Sequence, residues 1–198
     1  MRITAIVGTR PQLIKLAALR PHLTAPIEPF VVDTAQHHDE LLAGQIYRDL
    51  GMAPPDLLLP GPGDLRDAAR LDAMVRALDA ALVQINPDVV LVFGDTDSTL
   101  AGALAAHAHG IAIVHVEAGV RSGDALMPEE RNRIAVDKIA SLRLCTSDEA
   151  VQALRAEGLT EGNVVVGDLM ADLVARLAPT ARGTAALDAA ALRIGRPL

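Results

Sequence analysis

The sequence predicts an α/β protein built on a doubly wound, Rossmann-like parallel sheet. Three observations carry that prediction. Short apolar runs such as Ile3–Val7, Asp88–Phe93 and Ile111–Val116 have the length of strands and the near-continuous hydrophobicity of strands buried on both faces. Between them lie segments whose apolar residues recur at the three-to-four spacing of a helix. Each of these runs also ends in a loop rich in glycine and polar or charged residues, and in open α/β sheets ligands bind there, outside the carboxyl ends of the strands.

Ile3–Val7 ends in Gly8 and reads as the first strand, and Pro11–Leu19 carries Leu13, Leu16 and Ala17 at helical spacing, which places Lys15 in the helix's first turns. Phe30–Asp33 is the second strand, followed by the polar turn Thr34–His38 and a helix from about Asp39 to Leu50. Pro54–Gly63 is rich in Pro and Gly and contains Asp56–Leu59 as an edge-strand candidate. Asp64 then caps a long helix through Ile85, with Leu71, Met74, Leu78 and Leu82 on its apolar stripe, and Asn86–Pro87 stops it. Asp88–Phe93 is the most strand-like run. Its exit loop Gly94–Thr99 leads into an Ala-rich helix that ends at His109 and Gly110, and Ile111–Val116 completes another β-α-β unit.

From there the chain runs through the polar loop Glu117–Met127 to Pro128, a residue suited to a helix's first position, with Glu129 and Glu130 suited to the positive end of the helix dipole. A strand at Leu142–Cys145, a helix capped by Ser147 and ended by Gly158, and a last strand at Asn163–Val166 follow. The pattern weakens from Ala178. Residues 1–177 therefore read as one Rossmann-like domain, and 178–198 as a linker or the start of a further domain.

Composition narrows the function classes. The chain has 198 residues, 51% of them hydrophobic, and a net charge of −7, enough apolar residue for a core and the wrong sign for nucleic acid or an anionic membrane surface. Aromatic residues make up 2%, so a base-stacking platform is excluded. Cys145 is the single cysteine, which rules out an intrachain disulfide and a thiolate cluster and reads as a buried inert thiol. No apolar run approaches the roughly 18 residues of a membrane helix, and the N-terminal run is too short for a signal peptide. The expectation is a soluble cytoplasmic protein.

Three strand-exit loops carry chemistry. Gly8-Thr9-Arg10-Pro11 is neither the dinucleotide fingerprint nor a P-loop, yet a glycine, a guanidinium and a helix start make an anion seat; a tight turn with a solvent-facing Arg10 is the competing reading. In Gly94–Ser98, Asp95 reads as a site carboxylate and Asp97 as the cap of the following helix. The stretch His115–Arg133 brings Glu117, Arg121, Glu129 and Arg133. Glu129 and Arg133 are four apart on one helix face, where an ordinary surface pair is the alternative. His115 lies within an apolar strand and reads as a core histidine, His37 and His38 follow the second strand with one pointing into the cleft, and His107 and His109 read as a surface helix end. None of these histidines has partners at metal-ligand spacing, so no metal is expected.

Together GTRPQLIK (8–15), TAQHHDELL (34–42), VLVFGDTDST (90–99), HVEAGVRSGDALMPEERNR (115–133) and VVGDLMADLV (165–174) resemble the UDP-N-acetylglucosamine 2-epimerase family, in order and with similar spacing. The resemblance implies a glycosyltransferase-B-type fold of two Rossmann-like domains, of which this chain matches the N-terminal one. It implies interconversion of UDP-N-acetylglucosamine and UDP-N-acetylmannosamine by elimination of UDP to a glycal and re-addition with protonation at the other face of C2. It also implies no cofactor, and a UDP-sugar as the partner, with no nucleic acid and no membrane. A homodimer is expected.

By position match, Asp95, Glu117, Glu129, Arg133 and Lys15 become the catalytic set, and Arg10, Gln36, His37 and Arg121 the substrate-binding set. Which carboxylate takes the proton stays open. Three departures stand out: Gln12 where the family usually has Glu, Ala35 for Gly, and Asp168 for Asn, the first and last altering charge near an anionic ligand. A hydrolysing branch that releases UDP and N-acetylmannosamine, and a non-catalytic half that binds a partner or a sugar nucleotide, are the alternatives.

Overall fold

The computed structural model describes residues 1–36 and 40–181. Seven strands form one all-parallel sheet: β1 (Arg2–Val7), β2 (Glu28–Asp33), β3 (Leu57–Leu58), β4 (Val89–Phe93), β5 (Ala112–Ala118), β6 (Leu142–Cys145) and β7 (Asn163–Val165). The spatial order is β3-β2-β1-β4-β5-β6-β7. The chain winds outward from β1 to one edge, crosses back, and continues from β4 to the other. β1 and β4 therefore meet at the switch point, where a crevice opens at their carboxyl ends.

The helices are α1 (Arg10–Leu19), α2 (Glu40–Asp49), α3 (Asp67–Ile85), α4 (Asp97–Ala108), α5 (Pro128–Ile139), α6 (Asp148–Ala156) and α7 (Leu169–Ala181). Alternation along each strand sends consecutive residues to opposite faces and so builds two cores. Ile6, Val32, Val90 and Val92 pack against Met74, Leu78 and Leu82 of α3 and the alanines of α4. Ala5, Val7, Val31, Leu91 and Phe93 pack on the other side against Leu13 and Leu16 of α1 and Tyr47 of α2. A smaller cluster joins Cys145 of β6 to Ala150, Val151 and Leu154 of α6. Cys145 is fully buried and burial pushes its thiol up, as an inert core residue requires.

Several boundaries move from their sequence positions. α3 is capped by Arg66 and begins at Asp67 rather than following Asp64, because Pro62 to Leu65 form a turn first. α4 takes its cap from Thr96, whose hydroxyl accepts from the Thr99 amide, so Asp97 is the first helical residue. A short 3-10 turn at Arg20–His22 extends α1, and α7 is a helix the apolar pattern did not show. α5 starts as predicted, with Pro128 at its first turn and Met127 as its cap.

Candidate functional site

Three loops converge at the β1/β4 switch point, and contacts made by small groups set their spacing. Gly8 closes β1 where no side chain fits: a Cβ there would lie 2.0 Å from Thr34 Oγ1 and 2.3 Å from Ser98 Oγ. Those two hydroxyls hydrogen-bond at 2.7 Å, tying the β2 exit to the start of α4. The Ser98 hydroxyl and amide also donate to Gln36 Oε1, at 2.6 and 2.9 Å, so Gln36 is held at the crevice floor.

Gln12, 1% exposed, bridges the β1 and β4 exit loops. Its Oε1 accepts from the Gly8 and Thr9 amides, at 2.9 and 3.2 Å. Its Nε2, with two hydrogens to donate, lies within hydrogen-bond distance of the Phe93 carbonyl and the Thr96 and Thr99 hydroxyls, at 3.0, 3.0 and 2.9 Å. An amide supplies both donor and acceptor, so one side chain satisfies both loops.

Above this floor four side chains alternate in charge. Lys15 of α1 pairs with Glu117, Glu117 Oε1 lies 3.3 Å from Arg133 Nη2, and Arg133 pairs with Asp95. Lys15 and Arg133 are 8% and 7% exposed, so the cations are largely withdrawn from water and the carboxylates stand toward the opening. Arg133 Nε is buried with no hydrogen-bond partner among the described residues. The backbone aims this group: Glu117 sits at φ 66°, a left-handed conformation for a non-glycine residue, where the β5–β6 register shifts between Val116 and Ala118. Such a bulge re-aims a side chain, and a strained backbone of this kind costs about 1–3 kcal/mol.

A cleft of about 270 Å³ opens beside Asp95, lined by Thr9, Gln36, Arg70, Asp97, Glu129 and Asn132 among others. Arg70 of α3 pairs with Asp97, and Asn132 of α5 donates to the Asp95 carbonyl at 3.0 Å and to Asp97 Oδ1 at 3.1 Å. Arg70 carries no signal in the sequence, and Asn132 lies in the 115–133 segment that carries the family resemblance without a role of its own being readable there. Arg70 is on a helix far along the chain, and Asn132 shows its part only once α5 is laid against the β4 exit.

The sequence-derived candidates thus divide. Lys15, Asp95, Glu117 and Arg133 come together directly, Gln36 and Glu129 line the adjoining cleft, and Arg10 is exposed at the start of α1. His37 lies outside the described residues. Glu129 and Arg133 share α5 without pairing, because Arg133 turns inward to the carboxylates of β5 and the β4 exit. Arg121 does not line that cleft: it pairs with Asp137 at 2.8 Å and binds Glu157 through Nε and Nη2, at 2.7 and 2.8 Å. Its side chain is thereby engaged in tying the Glu117–Met127 loop to α5 and α6. Among the described residues no group of three or more His, Cys, Asp or Glu is placed to hold a metal ion, and no helix is long and apolar enough to cross a membrane.

The family model described as UDP-N-acetylglucosamine 2-epimerase matches residues 22–193. The chain belongs to that family. A UDP-N-acetylglucosamine 2-epimerase homolog of Methanococcus maripaludis is 38% identical over 172 residues, covering 87% of this chain and 48% of the relative. A UDP-2,3-diacetamido-2,3-dideoxy-D-glucuronate 2-epimerase of Pseudomonas aeruginosa is 36% identical over 177 residues, covering 87% and 50%. The crystal structure of the Methanocaldococcus jannaschii UDP-GlcNAc 2-epimerase, in complex with UDP-GlcNAc and UDP, superposes with a TM-score of 0.90 at 33% identity over 96% of this chain and 52% of that one. The chain spans about half the length of the curated relatives it matches. Its fold is a Rossmann-like α/β domain of the kind that glycosyltransferase-B-type epimerases contain.

Proposed function

We propose that this chain supplies the carboxylate-bearing half of a non-hydrolysing UDP-N-acetylglucosamine 2-epimerase active site. The observation that carries the reading is the Lys15–Glu117–Arg133–Asp95 chain at the switch point, with Glu129 at the rim of the cleft beside it. Inverting C2 of a 2-acetamido sugar needs a base for the C2 proton and an acid on the opposite face, because that proton is too weakly acidic for simple abstraction and return. Elimination meets the need. The C2–H bond breaks to a carboxylate, C1–C2 becomes double, and the C1–O bond breaks with its electron pair on UDP. Re-addition forms the C1–O bond again while a proton is delivered to C2 from the other face, so the sequence is a net isomerisation.

Asp95, Glu117 and Glu129 form the acid, base and charge-stabilising set in this reading, Lys15 and Arg133 balance the charge that develops among them, and Arg10 meets the diphosphate. Fixed, partly buried charges suit that task because they need no reorganisation during reaction. Gln36 and His37 belong to the substrate-binding set. The same reading places the chain in the cytoplasm as a homodimer, and sedimentation tests the dimer.

The deciding experiment is proton NMR of UDP-N-acetylglucosamine with this chain in deuterated water, beside a two-domain relative as control. Loss of the C2 signal with a UDP-linked manno product is expected. Free N-acetylmannosamine shifts the reading to the hydrolysing branch, and no exchange beside an active control overturns catalysis by this chain. The Pseudomonas relative motivates a second substrate arm, a UDP-linked 2,3-diacetamido uronate, which shares the C2 chemistry.

A further inference from the structure

The charged cluster beneath the site has no part in the chemistry above. His115 and Asp137 are both fully buried. His115 Nδ1 lies 2.7 Å from Asp137 Oδ1, and Nε2 lies 2.7 Å from the Gly94 carbonyl oxygen. A carbonyl has no proton to offer, so Nε2 is the donor of that bond. Asp137 Oδ2 already accepts from the Gly119 amide at 3.2 Å and from Arg121 at 2.8 Å, partners that favour the carboxylate, so Nδ1 donates as well. A ring that donates from both nitrogens is an imidazolium. We infer that His115 is a buried cation at neutral pH, a positioning residue that ties the Gly94–Asp95 turn to Asp137 on α5.

The surroundings support the assignment from each packed element. From α5, Asp137 is held below the usual carboxylate range: burial alone would raise it, but His115 and Arg121 together outweigh that. From β6, Arg143 stands opposite His115 in register, yet it donates to the Asp137 and Ala140 carbonyls, at 2.6 and 2.9 Å, so the negative end of α5 offsets it. Cys145, also on β6, has its thiol pushed up by burial and adds no charge. Arg121 is matched by Glu157.

The geometry also shows what the cation holds. Three consecutive carbonyls of the β4 exit each accept from a side chain: Phe93 from Gln12 and Thr99, Gly94 from His115, and Asp95 from Asn132. His115 is the charged member, and it fixes Gly94 at a left-handed φ of 65° just before the site carboxylate. This inference does not depend on which sugar nucleotide the site takes.

The test is a long-range proton–nitrogen NMR spectrum of the 198-residue chain labelled at histidine, with His115 assigned through its own backbone amide, so that no variant is needed. Both ring nitrogens are expected in the protonated position at neutral pH, and an unprotonated Nδ1 overturns the inference. On alkaline titration the Gly94 and Asp95 amide signals should move with the His115 ring. Asp137→Asn removes the counter-charge, so the ring should give up a proton more readily and the two amides should follow it. Amides that ignore the ring's titration overturn the positioning role even where the ring is charged.

Discussion

At the scale of single residues, Gln12 shows how much one side chain can decide. Its amide donates on one side and accepts on the other, linking the β1 and β4 exit loops with no net charge. A glutamate keeps the acceptor toward the Gly8 and Thr9 amides but sets an oxygen against the Phe93 carbonyl, which cannot turn to donate. The threonine hydroxyls can. Gln12→Glu should therefore cost about 1 kcal/mol, and Gln12→Ala, which orphans the buried groups on both sides, about 3 kcal/mol. Urea denaturation at neutral pH reads the order, and an alanine variant as stable as the wild type contradicts the bridging role. That Gln12 departs from the family pattern is visible in the sequence. That it joins two loops is not, because its partners Phe93, Thr96 and Thr99 lie far along the chain.

At the scale of elements, α5 separates two neighbours that look alike. Glu129 and Glu130 both suit the positive end of a helix, but adjacent helical residues point to different sides. Glu129 is exposed at the cleft, while Glu130 is 4% exposed and accepts from the Ser122 and Gly123 amides, at 3.0 and 3.1 Å, pinning the Glu117–Met127 loop to the helix start. Burial pushes the Glu130 carboxyl up, but those amides, the Ser122 hydroxyl and Arg121 bring it below its ordinary value. A lowered folded value gives stability that is present above the unfolded value, near 4.3, and is lost as pH falls through the folded one. Glu130→Gln should thus cost about 1–3 kcal/mol at neutral pH. That gap should close under acid conditions, and hydrogen exchange at Ser122 and Gly123 should quicken in the variant. An equal gap at neutral and acid pH contradicts the pinning.

The strands were legible as apolar runs and α5 by Pro128, yet the rotation that sorts Glu129 from Glu130 was not. The Glu117 bulge was hidden for a related reason: a left-handed residue within a strand leaves no trace in an apolar pattern. The i,i+4 spacing suggested Glu129 as the partner of Arg133, and two carboxylates from other elements outcompete it.

At the scale of the molecule, alternation of strands and helices was enough to give a parallel sheet, and the crossover that places β4 beside β1 brings their exits together although the Gly8 and Gly94 loops are distant in sequence. That topology also governs charge. Lys15 and Arg133 are matched by Glu117 and Asp95, Arg70 by Asp97, and Arg121 by Asp137 and Glu157. Among the described residues Arg10 is in no ion pair, and it stands at the first position of α1, where the helix dipole also favours an anion. A diphosphate docked at the start of α1 gains that exposed guanidinium and a helix terminus against a net charge of −7. Association on those terms should be weak: a calorimetric titration of the 198-residue chain with UDP should give a Kd on the order of 1 mM, about −4 kcal/mol. The affinity should fall as salt is raised, since the contact is exposed and screened over about 8–10 Å. Arg10→Ala should remove most of the binding while leaving the denaturation midpoint unchanged, because the side chain is exposed. Micromolar binding that survives Arg10→Ala would instead mean that UDP displaces one of the internal pairs, with Lys15 or Arg133 turning from its carboxylate to the phosphates.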